Sequence, residues 1–272
     1  MNKVRRQYHH HYHFSYQTTI KRHLASIATV TIAIIILFFI LIHFASPKNT
    51  FDINQISAND IFIASVNTVV RLLVAYIFSL LFSIPLALFI TSTPKIEKIL
   101  LPVFDVVQSV PVLAFFPVIV VFFTAYRAFE FAAIFILFMS MLWNLVFTVV
   151  GGLKSIPEDV ESAASVFKVR GTKKLWNITL PAIFPYMTTG SLLAWGQGWS
   201  IIIVAEVLHT YIPHGTVSQD LLGLGSLLVD SFAQGKNSVF LATLAMMIII
   251  ISLLNFFVWQ KLLHITERFK FD

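Results

Sequence analysis

Arg71, Gln108, Asn144, Gln197 and Glu206 interrupt runs of side chains that belong in oil, and Trp199 stands two residues after Gln197. An ionisable group at membrane depth is costly and either meets a charged solute or is paired for structure. Both roles are open to Arg71, and Glu206 either faces a path through the protein or reaches the outer interface. An Arg71–Glu206 pair would satisfy both charges. The amides of Gln108, Asn144 and Gln197 suit hydrogen bonds between helices. Together with Trp199 they complete the set of candidate path residues. Nothing in the sequence converges as a catalytic centre. There is no cysteine and no HExxH, and the histidines lie in the N-terminal tail, near span ends and in an outer loop. The His9 to His13 cluster has enough imidazole to bind a metal, but a solvated tail is the simpler reading.

The second group of functional candidates is contiguous. ESAASVFKVRGTKKLWNITLP, residues 161–181, carries Lys168, Arg170, Lys173 and Lys174 around a short amphipathic pattern. Pro157 and the acids Glu158 and Asp159 suit a helix start. Val160, Ala163, Ala164 and Phe167 then recur at i, i+3, i+4 and i+7 on one predicted face. Gly171 permits a turn, and Leu180-Pro181 leads back into an apolar run.

The elements that must position these residues are membrane spans. The chain has 272 residues, of which 57% are hydrophobic and 12% charged, far below the roughly 25% charged of a soluble domain. The apolar runs are long and do not alternate, so helices rather than barrel strands are expected. The fold class is therefore all-α integral membrane, with about six spans near 24–46, 61–92, 101–124, 129–150, 182–208 and 237–262. The first, at about 23 residues or roughly 35 Å, is long enough to cross and too long for a usual signal core. Pro85, Pro111 and Pro117 are expected to kink their helices. An apolar stripe, Leu221 to Val229, predicts a further short helix near the outer surface, although Gly223 and Gly225 lower its helix propensity.

Charge placement orients the chain. Six spans put 15 of the 19 Lys and Arg on one side, which the positive-inside rule assigns to the cytoplasm. Both termini and the 161–181 stretch are then cytoplasmic. The domain reading is a tail at 1–23, a first span at 24–46, a core at 60–265 with the loop 151–180 inside it, and a C-terminus at 266–272. The net charge of +6 is accounted for by these loops, without a nucleic-acid partner.

The 161–181 stretch resembles the EAA loop of ABC importer permeases: Glu-Ala-Ala, three residues, Gly, then a stretch ending in Leu-Pro. Counted back from Leu180-Pro181, the Glu position falls on Ser162, with Glu161 one residue early. The Ala positions fall on Ala163 and Ala164, and the Gly position on Lys168. Gly171 sits where several relatives carry a further Gly. Residues 65–90 resemble the first core helix of these permeases, with Thr68, Arg71 and Ile84-Pro85-Leu86 in place. Residues 101–123 resemble the next, and residues 178–208 are most similar to the branch that includes nitrate, sulfonate and bicarbonate permeases.

The resemblance implies a type I importer permease fold, with Glu161, Ser162, Ala163, Ala164, Phe167, Lys168, Gly171, Leu180 and Pro181 coupling to a separate ABC ATPase. It also implies a second permease half, as homodimer or heterodimer, an extracytoplasmic substrate-binding protein, and a small oxyanion as substrate. No GxxxxGK[ST] pattern occurs, so ATP is expected on the partner and no cofactor in this chain. The competing class is an ion-coupled secondary transporter, which would show inverted repeats or an intramembrane carboxylate chain.

Overall fold

In the computed structural model, residues 56–266 are described, apart from Pro213. The expected first span at 24–46, the histidine tail and the segment 267–272 lie outside them. The described residues fall into two compact units: the segment Ile156–Pro181, and a larger unit holding 56–155 and 182–266.

The larger unit begins with α1 (Ala58–Ile90), 33 residues or about 50 Å long, against a hydrocarbon thickness of about 30 Å. Its first turn is closed by a capping box. The Asp60 N–H donates to the Ser57 hydroxyl at 3.3 Å, and the Ser57 N–H donates to the Asp60 carboxylate at 2.8 Å. Then come α2 (Pro94–Ser109) and α3 (Val112–Ala125). The sequence predicts one span at 101–124 after a polar turn at 93–100. Instead the helix already starts at Pro94, after the Thr93 cap, and breaks before Pro111, where the two pieces bend by 79°. Pro111 cannot donate to the preceding turn, and it holds Val110 in an extended conformation (φ −74°, ψ 122°).

The core forms between α1 and α4 (Phe129–Lys154). Leu72 and Ala75 of the first, and Ala133, Leu137, Met141 and Leu145 of the second, are fully buried. The Ser79 hydroxyl donates to the Phe138 carbonyl at 3.1 Å across this seam. In lipid such packing is held by close van der Waals contact rather than by water exclusion. Lys154 at the end of α4 pairs with Glu97 in the first turn of α2.

In the smaller unit, α5 (Glu158–Val166) is followed by a helical turn at Thr172–Lys174 and a wide π turn at Leu175–Thr179. The next helix, α6 (Leu180–Glu206), starts in this unit and continues through the larger one. The π turn precedes Pro181, whose ring would clash with the carbonyl four residues back in a regular α-helix. Close approach needs glycine twice on α6. A Cβ at Gly190 would lie 2.0 Å from the Thr148 hydroxyl, and one at Gly198 2.1 Å from the Met141 methyl. A Cβ at Gly196, by contrast, would have nothing within 4 Å.

The predicted short outer helix is α7 (Leu224–Ala233), which packs on α1 and on α8 (Asn237–Leu254). The apolar helix continues through a π turn, Asn255–Trp259, into α9 (Gln260–Thr266). Trp259 there meets Tyr76 and Trp195, with ring centroids 6.5 and 6.1 Å apart. Among the described residues three helices are long and apolar enough to cross a membrane, Ala58–Ile90, Phe129–Lys154 and Asn237–Thr266, and four if the bent pair is one span. One of the six expected spans lies outside the described residues, and these helices account for four of the other five. The 27-residue α6 has the length, but Thr188, Thr189, Gln197 and its glycines make it less apolar.

Candidate functional site

The intramembrane charges come together at the end of the larger unit where α4 begins and α6 ends. Arg71, only 4% exposed, lies between two carboxylates. Its Nε and Nη2 donate to Oε2 and Oε1 of Glu130 at 2.6 and 2.7 Å, the two-pronged geometry that suits a planar guanidinium. Its Nη1 donates to Glu206 Oε1 and to the Leu222 carbonyl, both at 2.8 Å. Asn67 donates to the same carbonyl at 3.3 Å.

Glu206 is fully buried and acts only as an acceptor. Oε1 also accepts from the Thr68 hydroxyl at 2.7 Å, and Oε2 accepts from the Gly225 N–H at 2.7 Å. The Thr68 oxygen accepts in turn from the Leu224 N–H at 2.9 Å. Thr68 and Glu206 thus satisfy two free N–H groups in the first turn of α7, where a negative charge also favours the helix dipole. This seat needs glycine. A Cβ at Gly223 would stand 2.2 Å from the Glu206 carboxyl group, and one at Gly225 would stand 2.7 Å from the Ile203 Cα. The two glycines read in sequence as weakening the helix are what lets the carboxylate reach its start.

The remaining path candidates do not join this cluster. Gln108 is exposed and donates to Asp105 at 2.8 Å. Gln197 is exposed, while Asn144 and Trp199 are half-buried. The sequence reading missed Glu130. Its one visible signal was a carboxylate in the first turn of a span, where helix-end solvation alone would account for it. Beside the cluster, Asp220 binds His209 twice, accepting from the backbone N–H at 2.8 Å and meeting Nδ1 at 2.6 Å.

In the smaller unit α5 runs from Glu158 to Val166, and the four positions predicted to share one face divide. Ala164 is buried and Val160 half-buried, whereas Ala163 and Phe167 are exposed, Phe167 by 78%. Val166 and Trp176 add further exposed apolar surface. Glu161, Ser162, Lys168 and Gly171 are exposed, Leu180 and Pro181 half-buried, and Glu161 pairs with Lys174.

The helix ends in a Schellman motif. The Lys168 N–H donates to the Ser165 carbonyl at 3.1 Å, and the Val169 N–H to the Ala164 carbonyl at 2.8 Å. Lys168 therefore sits in the left-handed region, at φ 56°. That is the position where the EAA pattern has glycine, and here a lysine bears the strain. Gly171 follows with φ 59° and ψ −132°, a conformation open to glycine because it lacks a Cβ.

A helical chain with this loop and this bundle is matched by the family model described as binding-protein-dependent transport system inner membrane component, over residues 79–263. The chain belongs to this family. Among its relatives, the nitrate import permease protein NrtB of Leptolyngbya laminosa is 30% identical over 168 residues, covering 62% of this chain and 56% of that protein. The bicarbonate transport system permease protein CmpB of Synechococcus elongatus is 29% identical over 144 residues, 53% of this chain and 48% of that protein. The taurine transport system permease protein TauC of Escherichia coli is 27% identical over 138 residues, 51% and 49%. The chain spans about half the length of the curated relatives it matches. Membership assigns this inner-membrane component to the membrane and to the permease class.

Proposed function

We propose that this chain is the membrane-spanning permease subunit of an ATP-driven importer for a small oxyanion, coupled to a separate ATPase through residues 161–181. The observation that carries the reading is the loop itself: a short helix with Ala163, Val166 and Phe167 turned outward, a fixed Schellman turn, and re-entry at Leu180-Pro181, in a chain of this family. Small and apolar side chains exposed on an ordered helix suit a groove on a partner. To drive transport, that partner must bind the loop differently in two states of the permease, because only differential affinity shifts a conformational equilibrium.

ATP binds and is hydrolysed on the partner. A second permease half, identical or closely related, completes the path. A soluble binding protein delivers substrate at the outer face, near 209–236. Both termini lie in the cytoplasm, on the side that holds most of the cations. The substrate class follows the relatives, which are named for nitrate, bicarbonate and taurine transport.

The test is purification of this chain from native membranes in mild detergent, with mass spectrometry of what accompanies it. A P-loop ATPase is expected with the native chain and absent with Ala163→Asp, while the thermal midpoint of the permease stays unchanged. A homo-oligomer with no ATPase would reject the reading in favour of an ion-coupled carrier.

A further inference from the structure

Arg71 is held from two sides, and the two sides differ in kind. Glu206 is enclosed: it takes three donors, from Arg71, Thr68 and Gly225, and its carboxyl group fills the space above Gly223. Glu130 is held by Arg71 alone among the described residues, and its side chain is 17% exposed. It stands in the first turn of α4, at the end of that helix. One guanidinium thus faces a built-in carboxylate on its closed edge and a partly exposed one on its open edge.

We propose that the Glu130-facing edge of Arg71 is a binding site for a monovalent oxyanion, with Glu130 as its exchangeable counter-ion. The two parallel N–H groups now holding the Glu130 oxygens fit any small anion that presents two oxygens at carboxylate spacing. Charge requires exchange rather than addition. One cation already faces two carboxylates, and a third anion in a dry site would carry a penalty that no remaining donor offsets. Replacing Glu130 keeps the count at the guanidinium constant and returns the released carboxylate to a hydrated position. Glu206, itself held by Thr68, and the Leu222 carbonyl hold Arg71 in place throughout, so the open edge stays aimed. The inference rests on the oxyanion-permease reading and assigns that substrate class a place in this chain.

The test is calorimetric titration of the full-length chain in lipid nanodiscs with sodium nitrate as probe. Sodium chloride, which has no oxygen fork, serves as the control at matched ionic strength. Glu130→Gln removes the competing charge and is expected to tighten saturable nitrate binding by about tenfold or more. Chloride binding should not follow. Adding Arg71→Lys, which keeps the charge and loses the fork, should abolish the saturable component. If that double variant does not fold, Glu130→Asp replaces it, and its shorter reach should give an affinity between native and Glu130→Gln.

Nitrate binding no tighter in Glu130→Gln than in the native chain overturns the proposal. So does binding that survives the lysine, or a chloride response equal to that of nitrate. The two readings fail separately. Oxyanion uptake by the assembled native importer, with an apparent affinity that Glu130→Gln leaves unmoved, rejects this site and keeps the substrate class. An assembled importer that moves none of nitrate, bicarbonate or taurine rejects the substrate class, whatever the titration shows.

Discussion

The Arg71 cluster and the loop at 158–181 solve opposite problems. The cluster hides charge: Arg71 and Glu206 have almost no exposed surface, and both charged groups have hydrogen-bond partners within the chain. The loop displays apolar surface: Val166 and Phe167, at the end of a short helix with three acids in its first turn, and Trp176, in the π turn after it, are each more than 60% exposed. A buried charge needs partners already in place when the chain folds, and here the chain itself supplies them. An exposed apolar side chain on an ordered helix can be satisfied by another chain. Removing Arg71 or Glu206 from the first region should therefore change folding, and substitutions in the second should change association.

The sharpest break in that contrast is Arg71→Leu. It leaves two carboxylates without their cation in a largely buried site, a loss on the order of 3–5 kcal/mol. The expected outcome is aggregation on size-exclusion chromatography after extraction. Phe167→Ala in the loop should leave the elution profile and the thermal midpoint unchanged. Equal behaviour of the two variants would remove the distinction.

Next in size is Gly223→Ala, whose added Cβ would lie 2.2 Å from the Glu206 carboxyl group. Overpacking of this kind costs about 1–3 kcal/mol. Combining it with Glu206→Asp, which withdraws the carboxylate by one methylene, should restore part of the lost thermal midpoint. Additive losses would mean that the seat at α7 is not what demands the glycine.

A smaller and opposite effect is expected at Lys168. A non-glycine residue in the left-handed region costs about 1–2 kcal/mol, so Lys168→Gly should slow amide hydrogen exchange at Val169 and Phe167. Faster exchange would show that the lysine side chain contributes more than its backbone costs.

The smallest predicted effect lies beside the cluster, in α7. The Asp230 carboxyl is pushed up to about 6 by burial and then by the negative charge of Asp220, against the pull of His209. Its folded-state value is raised, so its stabilising contribution is present in full below the unfolded value near 3.8 and is lost as pH rises through about 6. Thermal midpoints of the native chain should fall across that window. Those of Asp230→Asn should fall less.

Legibility in the sequence followed the range of the interactions. The loop was readable because its determinants are contiguous: Pro157 and the acids after it, the Ala163-Ala164 pair, Gly171 and Leu180-Pro181 lie within 25 residues. Even there, which apolar positions face outward was not, because a short helix pattern defines a face without saying which side the rest of the chain covers. The break at Pro111 was expected as a kink, but its 79° size depends on how the two pieces pack. In the cluster, Arg71 and Glu206 stood out as charges in apolar runs, whereas the parts played in it by Glu130, Thr68 and the Gly223 and Gly225 positions did not. Each of these has an ordinary local explanation in sequence, as a helix-end acid, a helix threonine or a pair of helix-weakening glycines.

Composition and periodicity by themselves determined a helical membrane protein, because backbone hydrogen bonds in lipid are closed within helices or within barrels, and long apolar runs that do not alternate fit only helices. The order of short motifs by itself pointed to the permease family. Only the tertiary structure decided the partners of the buried charges. Residues 71, 130, 206 and 222–225 are far apart in the chain, and a guanidinium finds its carboxylates by the packing of helices, which sequence spacing does not encode.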